Sequence, residues 1–138
     1  MSVGGQTREQ LGEIAVRLKI AKLGDSEALR RVIRAKFLDA ADLLVVSQVL
    51  DEDPAIVRED YAAIACAIQN FMLSLHSEGV GSKWSTSKVI RQPDTYRILE
   101  IDLEAAEIVA FVWVGAPAEQ PTKRARSHDR AALWRQLP

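Results

Sequence analysis

The chain has 138 residues, 48% of them hydrophobic and 27% charged, with a net charge of −1, which is the make-up of one water-soluble globular domain, 1–138. The charge balance disfavours general nucleic-acid binding, the one basic block being Lys123-Arg124-Ala125-Arg126, and no apolar run is long enough to span a bilayer. The first residues lack the charged and apolar regions of a secretory signal, so a cytoplasmic location is the expectation. The single cysteine, Cys66, excludes an internal disulfide and with His76 and His128 gives no metal-ligand spacing.

Gln6 or Thr7 is placed to cap a first helix that runs to about Lys22. Leu11, Ile14, Ala15 and Leu18 mark its apolar face, and Gly24 is its stop. Asp25 and Ser26 open a second helix with Leu29, Val32, Ile33 and Phe37 on one face and Arg30, Arg31 and Arg34 largely on the solvated side. The run from Leu43 to Leu50 is too continuously apolar for a one-sided strand and predicts one covered on both faces. Asp51-Glu52-Asp53-Pro54 comes next as a polar, solvated loop.

A long helix is predicted over about Ile56 to Ser77. Tyr61, Ile64, Ala65, Ile68, Phe71, Met72 and Leu75 recur at helical spacing, and Ala62, Ala63, Cys66 and Ala67 add small residues beside them. A helix apolar on more than one side belongs in a larger core or a subunit interface, and Cys66 in its middle reads as an inert core residue. Gly79 is its C-terminal stop, and His76 reads as a helix-end residue, where a cation is favoured. Ser82 to Thr86 is a short extended segment or loop. Pro93-Asp94 opens a small helix to about Leu99, Ile108 to Val114 is a second doubly covered strand closed by Gly115-Ala116-Pro117, and Asp129 to Gln136 is a short amphipathic helix in a tail spanning 118–138.

Apolar strands alternating with helices imply an α+β fold, a mixed sheet flanked by helices. Two or three strands make a thin sheet whose edges need cover, which points to a partner chain or an upstream segment. Few side chains suggest chemistry. Trp84-Ser85-Thr86 offers one aromatic face and two hydroxyls, suited to a planar cofactor edge or simply to a core-edge tryptophan followed by turn residues. Arg124 and Arg126 carry fork-shaped donors suited to phosphate, or form a solvated basic pair. Gly79-Val80-Gly81 is not a dinucleotide fingerprint, since no strand precedes it. No nucleophile–base pair stands out, so no catalytic side chain is assigned.

Several short segments, in order, resemble the nitroreductase family. Phe37 to Val46 is similar to the family's helix that enters a valine-rich strand, with Asp42 where proline is usual. The Ala-rich helix ending Asn70-Phe71-Met72-Leu73-Ser74-Leu75-His76-Ser77-Glu78-Gly79-Val80-Gly81 resembles the family's central helix and its Gly-x-Gly exit. Lys83-Trp84-Ser85-Thr86 looks like the tryptophan-containing flavin strand of one small subgroup, and Ile108 to Pro117 like the last core strand. Arg124-Ala125-Arg126 looks like the basic pair that meets the FMN phosphate. Together these cover roughly residues 7 to 135.

The resemblance implies FMN as cofactor, lined by Trp84, Ser85 and Thr86 and held at its phosphate by Arg124 and Arg126. It implies two-electron transfer from NAD(P)H to a nitroaromatic or quinone-like acceptor, in a homodimer paired through the long helix. The family's Arg-Arg-Ser-type segment and its Pro-Ser-x-x-Asn with a Pro-Trp strand are not in this sequence, and Val3 to Leu11 resembles the stretch just C-terminal to them in the family. The expectation is therefore an N-terminally truncated member whose missing flavin-binding segment comes from elsewhere. The alternative is a cofactor-free remnant that serves as an interaction or dimerisation module.

Overall fold

The computed structural model describes residues 1–119. Four α-helices and three strands succeed one another as α1 (Gly5–Leu23), α2 (Glu27–Leu38), β1 (Asp42–Val49), α3 (Pro54–Ser77), β2 (Gly81–Ser85), α4 (Pro93–Leu99) and β3 (Ala106–Gly115), with a 3₁₀ turn at Lys88–Arg91 before α4. The α+β architecture expected from the sequence is present. The sheet order is β1-β3-β2 and both pairings are antiparallel, so the sheet is not mixed among the described residues. The reason is directional. α3 returns the chain to the end where β1 began, so β1 and β2 run parallel to each other, and β3, last in sequence, inserts antiparallel between them.

Local chemistry sets the helix ends. α1 starts one or two residues before the expected caps, at Gly5, with Gly4 extended in front of it and no side-chain cap. The Ser26 hydroxyl accepts from the Leu29 N–H at 3.2 Å and starts α2. Pro54 sits in the first turn of α3, where its missing N–H costs nothing, and the Asp53 carboxylate accepts from the Ala55 N–H at 2.8 Å. Gly79 ends α3 with φ +74°, the left-handed conformation that favours glycine, while Val80 N–H bonds back to the Leu75 carbonyl at 2.9 Å.

The main core lies between the sheet and the α1/α2 layer. Leu11, Ile14 and Val16 of α1, Ile33 and Phe37 of α2, Leu43 and Val45 of β1, and Ile108 and Phe111 of β3 are all buried. Phe37 packs over Gly12 of α1 and meets Trp113 edge-on with ring centroids 4.8 Å apart. Val32, expected on the apolar face of α2, is exposed, while Arg30 and Arg34 on that helix are fixed by ion pairs to Asp25 and Glu13. Below this core the 3₁₀ turn inserts Val89 and Ile90, and α4 inserts Tyr96 and Leu99. Two buried hydrogen bonds lock that corner, Thr95 Oγ1 to the Val89 carbonyl at 2.6 Å and Ile108 N–H to the Tyr96 hydroxyl at 3.0 Å.

The other sheet face is thinly covered. α3 crosses it with Ile68 against Val109, Ala110 and Val112, and Ile68 is the one fully buried residue of the 24-residue helix. This corrects the larger-core reading of α3 among the described residues. Tyr61, Phe71 and Leu73 are exposed, and so is Cys66, which is not a core residue among the described residues. Helical periodicity shows that a face is apolar, but the partner that covers it is supplied by other parts of a fold or by another chain. The expectation that β1 is sealed on both faces fails for the same reason: Leu43 and Val45 face the main core and are buried, whereas Leu44 and Val46, facing α3, are only half-buried.

Candidate functional site

β2 is the edge strand that carries Trp84 and Ser85. Among the described residues it pairs with β3 alone, Trp84 opposite Val112 and Ser85 opposite Phe111, so the backbone groups along its outer side have no ladder partner among those residues. Side chains alternate across a strand, and the register places them. Trp84 lies on the α3 side and packs against the Ile68–Val112 cluster, while Ser85 shares the α1 side with Phe111 and Lys83 shares it with Trp113. The three predicted cofactor residues therefore do not form one side-chain surface. They form a strand edge with the indole on one face, Ser85 on the other, and Thr86 exposed at the turn that leaves the strand.

Gly81 at the start of β2 explains how close the chain runs there. A Cβ at Gly81 would lie 3.0 Å from the Gly115 carbonyl oxygen of β3 and 3.5 Å from the Pro117 ring, so a side chain would push the two strands apart. The Gly-x-Gly exit of α3 thus combines two needs, a left-handed stop at Gly79 and a close strand approach at Gly81. One feature of Trp84 is unusual. Its indole Nε1 is buried and has no acceptor among the described residues. A buried donor left unpaired costs about 1–3 kcal/mol, so the position favours an acceptor supplied from outside these residues.

Arg124 and Arg126 lie outside the described residues, as do His128 and the predicted helix Asp129 to Gln136. Among the described residues no group of three or more His, Cys, Asp or Glu side chains is arranged to hold a metal ion, and no helix is long and apolar enough to cross a membrane. Two open hollows flank α3. One, about 270 Å³, runs between the helix and the sheet and is lined by Met1, Leu44, Val46, Ile64, Phe71 and Val112 among others. The other is lined by Pro54, Ala55, Arg58, Glu59 and Ala62 at the start of α3. Neither includes Trp84, Ser85 or Thr86.

The sequence pattern did not point to a feature on the α1 side of β2. Val89 and Ile90 are buried beneath the 3₁₀ turn, which turns Lys88 and Arg91 outward. The signal was an apolar pair between two cations, too short for a periodicity argument. Beside them Asp94 accepts from Arg17 at 2.5 Å and from Arg97 at 2.9 Å, and these two guanidinium groups hold its carboxyl below the usual value of 3.8.

Comparison with known proteins bears on this arrangement. The model of the Nitroreductase family matches residues 3–116. A nitroreductase-like family protein from Bacillus cereus superposes with a TM-score of 0.80 at 21% identity, over 99% of this chain and 71% of that one. An oxidised iodotyrosine deiodinase bound to FMN and 3-iodo-L-tyrosine gives 0.67 at 16% identity, over 94% and 71%. A nitroreductase with bound FMN from Bacteroides fragilis gives 0.62 at 22% identity, over 94% and 70%. At these identities the structural likeness establishes the fold.

Proposed function

The chain belongs to the Nitroreductase family, and on that premise we propose that it is a flavin-dependent oxidoreductase that binds FMN along the outer edge of β2. The observation that carries the reading is the family match across residues 3–116, which includes the whole of that edge. FMN-bound structures among its fold relatives support the choice of cofactor.

The residues present fit such a group. The pyrimidine end of a flavin carries alternating carbonyl and N–H groups, and the outer backbone edge of β2, without a strand partner among the described residues, offers the complementary set. Ser85 and Thr86 add hydroxyls at the end of the strand, and Trp84 closes the α3 side with an apolar ring whose N–H still needs an acceptor. Arg124 and Arg126 supply the phosphate contacts in this reading. Bound FMN supplies the two-electron chemistry, with NAD(P)H as donor and a nitroaromatic or quinone-like acceptor. The chain's own residues bind the ring, orient it and limit its exposure to water.

Homodimer formation through α3 belongs to the same reading. An amphipathic helix with Tyr61 and Phe71 exposed on either side of the buried Ile68 presents apolar surface to a second copy. A second reading, a cofactor-free association module, is favoured by one observation: the hollows lie along α3 and not at β2.

A visible absorbance scan after incubation with FMN and desalting separates the two. The flavin reading expects a retained flavin spectrum. It also expects that Arg124→Ala and Arg126→Ala each weaken FMN binding by about 1.5–3 kcal/mol per charged hydrogen bond lost. A colourless protein with intact helical circular dichroism would leave the association module.

A further inference from the structure

The chain is nearly neutral, and its charges cluster locally. The loops at one end of the sheet, joined by the hydrogen bond from Leu50 N–H to the Ala105 carbonyl, carry Asp51, Glu52, Asp53, Asp102 and Glu104. The segment from β2 through α4 carries Lys83, Lys88, Arg91 and Arg97 against a single carboxylate, Asp94, and the fold brings Arg17 of α1 onto that same carboxylate. The four ion pairs among the described residues engage Arg17, Arg30, Arg34 and Arg97, so Lys83, Lys88 and Arg91 have no carboxylate partner among those residues.

These cations share one side of the molecule. Lys83 stands opposite Trp113, on the α1 face of the sheet, and the 3₁₀ turn contributes Val89 and Ile90 to the core on that same face. Lys88 and Arg91 are three residues apart in a 3₁₀ turn, where side chains at i and i+3 eclipse, so their stems leave the backbone side by side. The turn itself is held rigidly. Thr95 Oγ1 donates to the Val89 carbonyl, and Gln92 Nε2 donates to the Lys88 carbonyl at 3.1 Å. A fixed backbone presenting adjacent, exposed and unneutralised cations lowers the ordering cost of capturing an anion.

We propose that this rim, centred on Lys88 and Arg91, binds the phosphate monoester of a phosphorylated nicotinamide dinucleotide, so that the protein prefers NADPH to NADH. The inference rests on the flavin reading for the reason a dinucleotide is present. The turn begins three residues beyond Ser85, on the α1 side of the edge assigned to the flavin, where an incoming reductant can lie across the strand end with its phosphate on the turn. Arg91 offers a planar fork for two phosphate oxygens and Lys88 a point charge beside it.

The test is calorimetric titration of the full chain with adenosine 2′,5′-bisphosphate and with adenosine 5′-monophosphate, without FMN. The wild type should bind the bisphosphate roughly tenfold or more tightly than the monophosphate, with affinity falling as salt rises. The double variant Lys88→Ala/Arg91→Ala should lose about tenfold or more of that affinity, while Lys36→Ala on α2 should not change it. Equal binding of the two nucleotides, an undiminished double variant, or no saturable binding by the wild type would overturn the proposal. So would a double variant that loses affinity for FMN but not for the bisphosphate, because the rim would then serve the flavin phosphate. Bisphosphate binding by a chain that retains no flavin would sink the flavin reading and leave the rim standing.

Discussion

The two faces of the sheet are built from the same strands and end in opposite conditions. On the α1/α2 side, Leu11, Leu43 and Phe111 are entirely out of solvent, and two helices, the 3₁₀ turn and α4 close over them. On the α3 side one long helix covers the sheet with one buried residue, Ile68, and leaves Phe71 40% exposed. The longest and most apolar helix therefore contributes least to the core of a single chain. The closed side is where the single chain holds itself together, and the α3 side leaves apolar surface open to solvent.

The largest expected effect tests the closed side. Phe111→Ala should destabilise the chain by about 3–5 kcal/mol, because the ring is fully enclosed and the cavity cannot collapse. Ile68→Ala should cost about 2 kcal/mol, near the lower end for such truncations, because its neighbours are partly open to water. Urea denaturation of both variants gives the comparison directly. Equal losses would mean that α3 is held as tightly as α1 and that the two faces do not differ in the way described.

The next effect concerns association. Phe71 is exposed on α3 and lines the hollow between that helix and the sheet. If two chains pair through α3, Phe71→Asp places a charge in the centre of an apolar contact and should weaken the dimer by about thirtyfold or more, with little change in the circular dichroism of the separated chain. Sedimentation velocity at several concentrations reads this out. A wild type that stays monomeric, or a variant that still dimerises, would move the partner surface away from α3.

Much of the closed side was legible in the sequence because its signals are local. Ser26 and Pro93 mark element boundaries that the structure reproduces, and the apolar runs of β1 and β3 lie where strands form, whereas Pro54, read as the end of a loop, is the first residue of α3. The α3 side was misread because Ile64, Ile68, Phe71 and Met72 look alike in a periodic pattern whether their partner is in the same chain or not. Cys66 and Val32 were misplaced for the same reason: an apolar residue beside an apolar stripe is buried only if something lies over it. Trp84 and Ser85 could be named from the resemblance, but their separation onto opposite faces needs the register of β2 against β3, a non-local fact. The basic rim was hidden because Lys83 joins the α1 face only through the register of β2 against β3, and Lys88 and Arg91 align only in the 3₁₀ turn.

The smallest effect distinguishes the faces electrostatically. Every ion pair among the described residues lies on the closed side: Arg17 and Arg97 with Asp94, Arg34 with Glu13, and Arg30 with Asp25. The arginine hydrogen bonds hold Asp94 and Asp25 below their usual 3.8 and Glu13 below its usual 4.5. A carboxyl with a lowered folded-state pKa favours folding above its unfolded value and loses that contribution as pH falls through the folded one. Acid should therefore loosen the joints between α1, α2 and α4, while α3, with no such pair among the described residues, is unaffected by this route. Asp94→Asn should lower the urea midpoint slightly at neutral pH, since exposed pairs contribute little, and make no difference once the medium is well below 3.8. A variant whose deficit persists in strong acid would show that Asp94 acts through packing or capping of α4 and not through its charge.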